Sequence, residues 1–170
     1  MPRRDPHLAA ARIVQDAGGE LVGRTRLQKV GYLMQLAGFG DEFTFEYRHY
    51  GPFSEELAQA MEIASALGPV REIERPAEWG GWYSIYTLRE PKGPEDPARA
   101  MFVQRAKAIG AIELELAATA AFLFAEEGFD GTGDKNPWAE TRRRKPDKAK
   151  DGRLERAAEA YEGLRRIATP

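Results

Sequence analysis

The chain has 170 residues, of which 42% are hydrophobic and 31% charged, a balance that predicts a folded domain and excludes a mostly disordered chain. A net charge of −2 excludes global attraction to nucleic acid, and the absence of cysteine excludes disulfides and thiolate chemistry, in keeping with a cytoplasmic setting. The longest apolar run, residues 117–125, is too short to cross a bilayer, and residues 1–7 lack the apolar core of a secretory signal, so no membrane partner is expected.

The first predicted helix covers residues 7–17, with Leu8, Ala11, Ile13 and Val14 inward and Gly18-Gly19 as its stop. The second opens at Thr25, with Gln28 three residues on as a capping box, and continues through Leu27, Val30, Met34 and Ala37 to Gly38. Residues 42–50 alternate Phe43, Phe45 and Tyr47 with Thr44, Glu46 and Arg48, as a half-buried strand does, and Gly51-Pro52 terminates it. Ser54 caps a third helix whose inward face is Leu57, Met61, Ala64 and Leu67. Residues 70–74 and 82–88 read as a hairpin with a long tip.

Helix, helix, strand, helix, hairpin is the order of a winged helix, so residues 1–90 are expected to form a winged-helix-like module. Residues 91–170 are expected to add a helical extension, in a fold that is mainly α with a small antiparallel sheet. Asp96-Pro97 starts a helix over 98–109, and residues 111–127 are apolar on nearly every face, which marks the most buried helix. A loop over 128–136 and a short helix over 137–143 follow. The last helix, within residues 152–168, carries the stripe Leu154, Ala157, Ala158, Tyr161, Leu164 and Ile167, which should dock on the buried one.

Candidate chemistry is sparse. His7 and His49 have no nucleophile motif beside them, and two distant histidines without cysteine match no zinc framework, so no catalytic residue, cofactor or metal is expected. Residues 128–135 imitate a phosphate loop, but Asp134 separates the last glycine from Lys135 and no Ser or Thr follows that lysine, so a plain turn is the better reading. The third helix carries Glu55, Glu56 and Glu62 without lysine or arginine, and such a face repels the duplex that a groove-reading helix must approach. Arg142, Arg143, Arg144 and Lys145 form the opposite patch, a contact for nucleic acid or an acidic partner, although interleaved acids allow a solvated loop equally well. Aromatic residues Tyr47, Tyr50, Phe53, Trp79, Trp82 and Tyr83 either fill the core or anchor an interface.

The helix Leu27-Gln28-Lys29-Val30-Gly31-Tyr32-Leu33, followed by Tyr47-Arg48-His49-Tyr50-Gly51-Pro52-Phe53-Ser54, resembles the YwgA-type proteins. It also resembles their SocA-like, or Panacea, antitoxin relatives and the toxin-binding carboxyl-terminal domain of DarG antitoxins. The chain departs from that outline in carrying Gly31 inside the helix and no macrodomain. The resemblance implies a helical domain with a small sheet, no enzymatic centre, and control of a toxin or defence effector through protein contact. On that reading Arg48, His49, Tyr50, Phe53, Glu55, Glu56, Glu62 and Trp79 contact the partner protein. The rival is a DNA-binding regulator using the wing and the basic segment from Arg142 to Lys150, and association with a second copy of the chain stays open.

Overall fold

In the computed structural model, which describes residues 5–168, Pro6 occupies the first helical position of α1 (Pro6–Asp16), where its missing N–H costs nothing. A three-residue strand, β1 (Glu20–Val22), separates it from α2 (Arg24–Leu36). The predicted capping box does not form there. Gly23 is the N-cap, no side chain caps the helix, and Gln28 is turned into the interior instead.

The predicted strand over residues 42–50 is shorter than expected. Phe43, Phe45 and Tyr47 do point inward while their neighbours are exposed, but only β2 (Glu46–Arg48) makes a ladder. Its antiparallel partner is β3 (Gly51–Phe53), so Gly51-Pro52 opens a strand rather than ending one, with His49 and Tyr50 forming the turn between. Ser54 then caps α3 (Glu55–Leu67) by accepting the Leu57 N–H, and Glu55 and Glu56 lie at the positive end of the helix dipole.

The hairpin forms as expected from β4 (Val70–Pro76) and β5 (Trp82–Leu88). β1 adds to its other side, giving the sheet order β1-β5-β4, all antiparallel. Beyond it come α4 (Pro97–Lys107), started by Asp96 and Pro97, α5 (Ala111–Glu126), α6 (Pro137–Arg144), the short α7 (Pro146–Ala149) and α8 (Arg153–Ala168). The molecule is therefore mainly helical α+β with small antiparallel sheets.

α5 occupies the centre. Leu114, Ala118, Ala121 and Phe122 join the core built from α1, α2, α3 and α4, while Leu116 and Ala117 meet Ala149, Leu154 and Ala157 on the other side. This two-sided burial accounts for its all-round apolar sequence. Two predicted core residues are outside: Leu8 in the first turn of α1 is exposed, and Leu67 is 73% exposed at the final residue of α3, past the buried stripe Leu57, Ala60, Met61 and Ala64. A buried ion pair between Asp16 and Arg99, 2.5 Å, ties α1 to α4, and Arg99 also donates to the Phe39 carbonyl at 2.7 Å. Among the described residues, no single helix is long and apolar enough to cross a membrane.

Candidate functional site

The two sequence motifs fold against each other. The Gln28 amide donates to the Ser54 carbonyl at 3.0 Å and accepts the Ser54 N–H at 2.8 Å, so one buried side chain matches both backbone groups at the start of α3. Lys29, only 1% exposed, donates to the Pro52 carbonyl at 2.8 Å. Burial lowers its ammonium from the ordinary 10.5 to about 8, the charges of Lys145 and Lys148 push the same way, and Glu115 opposes them. Tyr32 fills the core between Phe45 and Phe122, with ring centroids 5.3 and 5.7 Å away. Gly31, which departs from the relatives' outline, leaves room for Leu57: a Cβ there would stand 3.0 Å from a Leu57 methyl.

The basic run is not a free patch. Lys145 is only 9% exposed and donates to the His49 carbonyl at 2.9 Å and to Glu115 at 2.8 Å. Lys148 joins it on Glu115 at 2.8 Å and lies 4.7 Å from the centre of the Tyr50 ring. Arg144 binds Glu140 at 2.9 Å and Glu127 at 3.4 Å and stacks over Tyr47. Arg143 binds Glu140 at 2.6 Å and Arg142 binds Glu155 at 2.8 Å. The hydrogen bond from Arg143 is the main reason that the Glu140 carboxyl drops to about 2. The four cations predicted to meet nucleic acid or an acidic partner thus face carboxylates of their own chain: Glu115 of α5, Glu127 just past its end, Glu140 of α6 and Glu155 of α8.

The solvent side of the turn is different. Arg48 binds Glu46 at 2.8 Å, reaches Glu55 at 3.6 Å and lies over the Phe53 ring at 4.8 Å, beside the exposed His49 and Tyr50. Tyr50, Phe53 and Glu62 line a cleft of about 320 Å³ together with Arg24, Glu72 and Tyr86. On the other side of Arg24 and Thr25, Trp79 lines a second cleft of about 440 Å³ with Trp82, Tyr83 and the start of α5. Arg24, which stands between the clefts, binds Glu72 at 2.9 Å and Glu74 at 3.1 Å.

Of the predicted contact residues, Arg48, His49, Tyr50, Phe53 and Glu55 gather at one turn, Glu62 borders the first cleft, and Trp79 lies across the Arg24 ridge. Glu56 is exposed and lines neither cleft. Sequence reasoning missed Arg24 and Lys29 as cleft residues. Lys29 falls inside the quoted motif, but nothing local shows that its ammonium reaches Pro52. The loop over residues 128–135 closes on itself, with Asp130 accepting from the Thr132 N–H at 3.0 Å and Gly131 donating to the Lys135 carbonyl at 2.8 Å. No group of three or more histidine or carboxylate side chains that could hold a metal occurs among the described residues.

Fold and site together define a mainly helical α+β protein with an exposed, ion-paired aromatic turn beside one cleft and a second cleft across the Arg24 ridge. No protein-family model matches the chain. It is 32% identical over 85 residues to the uncharacterized protein YwgA of Bacillus subtilis (strain 168), a stretch that covers 49% of this chain and 49% of that protein. The match therefore spans about half the length of the curated relative, and it agrees with the YwgA-type part of the resemblance read from Gln28, Lys29 and the Gly51-Pro52 turn.

Proposed function

We propose that the protein is a non-enzymatic regulator with a winged-helix-like amino-terminal half, akin to the SocA-like and DarG-type antitoxin domains, which restrains a partner protein such as a toxin or defence effector. One observation carries this reading. Gln28, Lys29, Gly51, Pro52 and Ser54 are all committed to holding the turn, while Arg48, His49 and Tyr50 are left facing solvent. Residues that build a rigid platform under an exposed tyrosine and arginine suit recognition of another polypeptide. The rival reading as a DNA-binding regulator loses part of its support, since Lys145 is buried against Glu115 and Arg144 is engaged by Glu140 and Glu127.

The test is coexpression with the product of the neighbouring gene. A stable complex and relief of that product's toxicity are expected, both weakened by Arg48→Glu combined with Tyr50→Ala. Absence of both the complex and the relief would overturn the proposal, and a salt-sensitive shift of promoter DNA by the purified chain would restore the rival.

A further inference from the structure

α1 carries two residues that packing does not account for, one turn apart on the same face. Leu8 is 43% exposed, although the apolar stripe of the helix predicts it inside. Arg12 is half-buried with its Nε wholly out of water, and no hydrogen bond or ion pair joins it to any described residue. The buried Asp16 carboxylate, a further turn along, is near enough to feel the Arg12 charge but is bonded to Arg99 instead. A donor that has left water without finding an acceptor is costly, so the unmatched guanidinium needs an explanation.

Both side chains line a cleft of about 750 Å³ between α1 and the connection that runs from Leu88 to Glu95. The connection is tied down at both ends. Gln15 donates to the Gly93 carbonyl at 2.6 Å, and Arg89 donates to the Val70 and Ser65 carbonyls at 3.1 and 3.2 Å. Ala11, Pro69, Leu88 and Pro91 add apolar lining. Of the other charged residues along the cleft, Arg89 and Lys92 offset Glu90 and Glu95, and all four are exposed to water that screens them. Arg12 is what remains: a positive group, partly dehydrated, beside apolar walls.

We propose that this cleft binds a small organic acid, a carboxylate borne on a hydrocarbon body. The carboxylate meets the Arg12 guanidinium, whose parallel donors suit it, and the hydrocarbon lies along Leu8, Ala11, Leu88 and Pro91. A volume of about 750 Å³ suits a small molecule better than a single inserted side chain. A neutral hydrocarbon leaves Arg12 unmatched, and a cation opposes it. Nucleic acid needs a row of unpaired cations where the cleft has one, and inorganic phosphate makes no use of the apolar walls. The inference stands apart from the regulator reading, since none of these residues belongs to the turn on which that reading rests.

The experiment is titration of the intact, isotope-labelled protein with octanoate, octanol, octylammonium and the peptide acetyl-Gly-Gly-Leu-Leu, followed through amide chemical shifts. Octanoate is expected to shift the amides of α1 and of residues 88–95, and to bind about tenfold or more tightly than octanol. Arg12→Gln should remove that preference while leaving octanol binding as it was. Because Arg12 makes no hydrogen bond, this variant should keep the wild-type melting temperature, which separates lost binding from lost folding. Leu8→Glu, at an exposed position, sets a like charge beside the carboxylate and should weaken octanoate severalfold, an independent test even where Arg12→Gln folds poorly. Shifts absent or confined to other elements, octanol or octylammonium binding as tightly as octanoate, a preference for the peptide, or octanoate affinity indifferent to a folded Arg12→Gln or to Leu8→Glu would each overturn the proposal.

Discussion

Gln28 holds both backbone groups of Ser54, and the two are not equivalent. The Ser54 carbonyl also accepts the Ala58 N–H at 3.1 Å, whereas the Ser54 N–H is matched by Gln28. Gln28→Ala should therefore orphan one buried donor and lose a second hydrogen bond, destabilising the protein by about 2–3 kcal/mol, read as a lower urea midpoint at unchanged slope. An effect within experimental error would mean that water replaces the amide. Lys29 makes a prediction about pH. Its folded value is about 8 against 10.5 when exposed, so between those limits the unfolded chain keeps a proton that the folded chain has released. Stability from this group thus rises with pH across that window, and the cost of burying the charge is full below it. Relative to Lys29→Met, wild-type protein should gain about 2–3 kcal/mol between pH 7.5 and pH 10.5 in matched urea titrations. A difference independent of pH would contradict the buried, charged state.

At the scale of elements, the β2–β3 turn is seated on α5. Gly51 has φ +93°, and a Cβ there would stand 2.6 Å from the Thr119 hydroxyl, so two separate penalties oppose a side chain. Gly51→Ala should cost about 2 kcal/mol or more, with about 1 kcal/mol of it from the backbone alone. The Thr119 hydroxyl is buried without a hydrogen-bond partner, so Thr119→Ala removes the obstacle without breaking a bond. Combining the two changes should recover the steric share and leave the backbone share, which a double-mutant cycle measures directly. Additive costs would mean that turn and helix do not touch. Such elements were legible in the sequence to the degree that their signals are local. Alternation of Phe43, Phe45 and Tyr47, the Ser54 cap and the Asp96-Pro97 start all acted as expected. β1 was not legible, because three residues form a strand there only by pairing with Ile85, Tyr86 and Thr87. The Thr25 capping box failed for a related reason: Gln28 found a buried partner in Ser54 that local spacing cannot reveal.

Across the whole molecule, Glu115 joins the parts that the sequence separates. Its buried carboxylate accepts Lys145 and Lys148 from the far side of a long loop, and Lys145 in turn holds the His49 carbonyl at the candidate site. Read as a string, Arg142, Arg143, Arg144 and Lys145 form one basic run. In space Lys145 belongs to the interior, because the carboxylate that neutralises it comes from a helix 30 residues upstream, and no window along the chain contains both. Two lysines on one carboxylate, with Lys29 nearby, leave the cluster short of negative charge. Glu115→Gln would leave Lys145 buried without a counter-charge, for which about 3–5 kcal/mol is the expected loss. Lys150→Gln, at an exposed position in the same basic segment, should change stability by less than about 0.5 kcal/mol. Added salt should restore little of the Glu115→Gln loss, since buried charges are screened far less than exposed ones. The variant should also lower hydrogen-exchange protection in the β2–β3 turn, where Lys145 is bound to His49, before it does so in α1. Unchanged protection in that turn, together with a small stability loss, would show that the carboxyl-terminal helices and the turn are energetically independent.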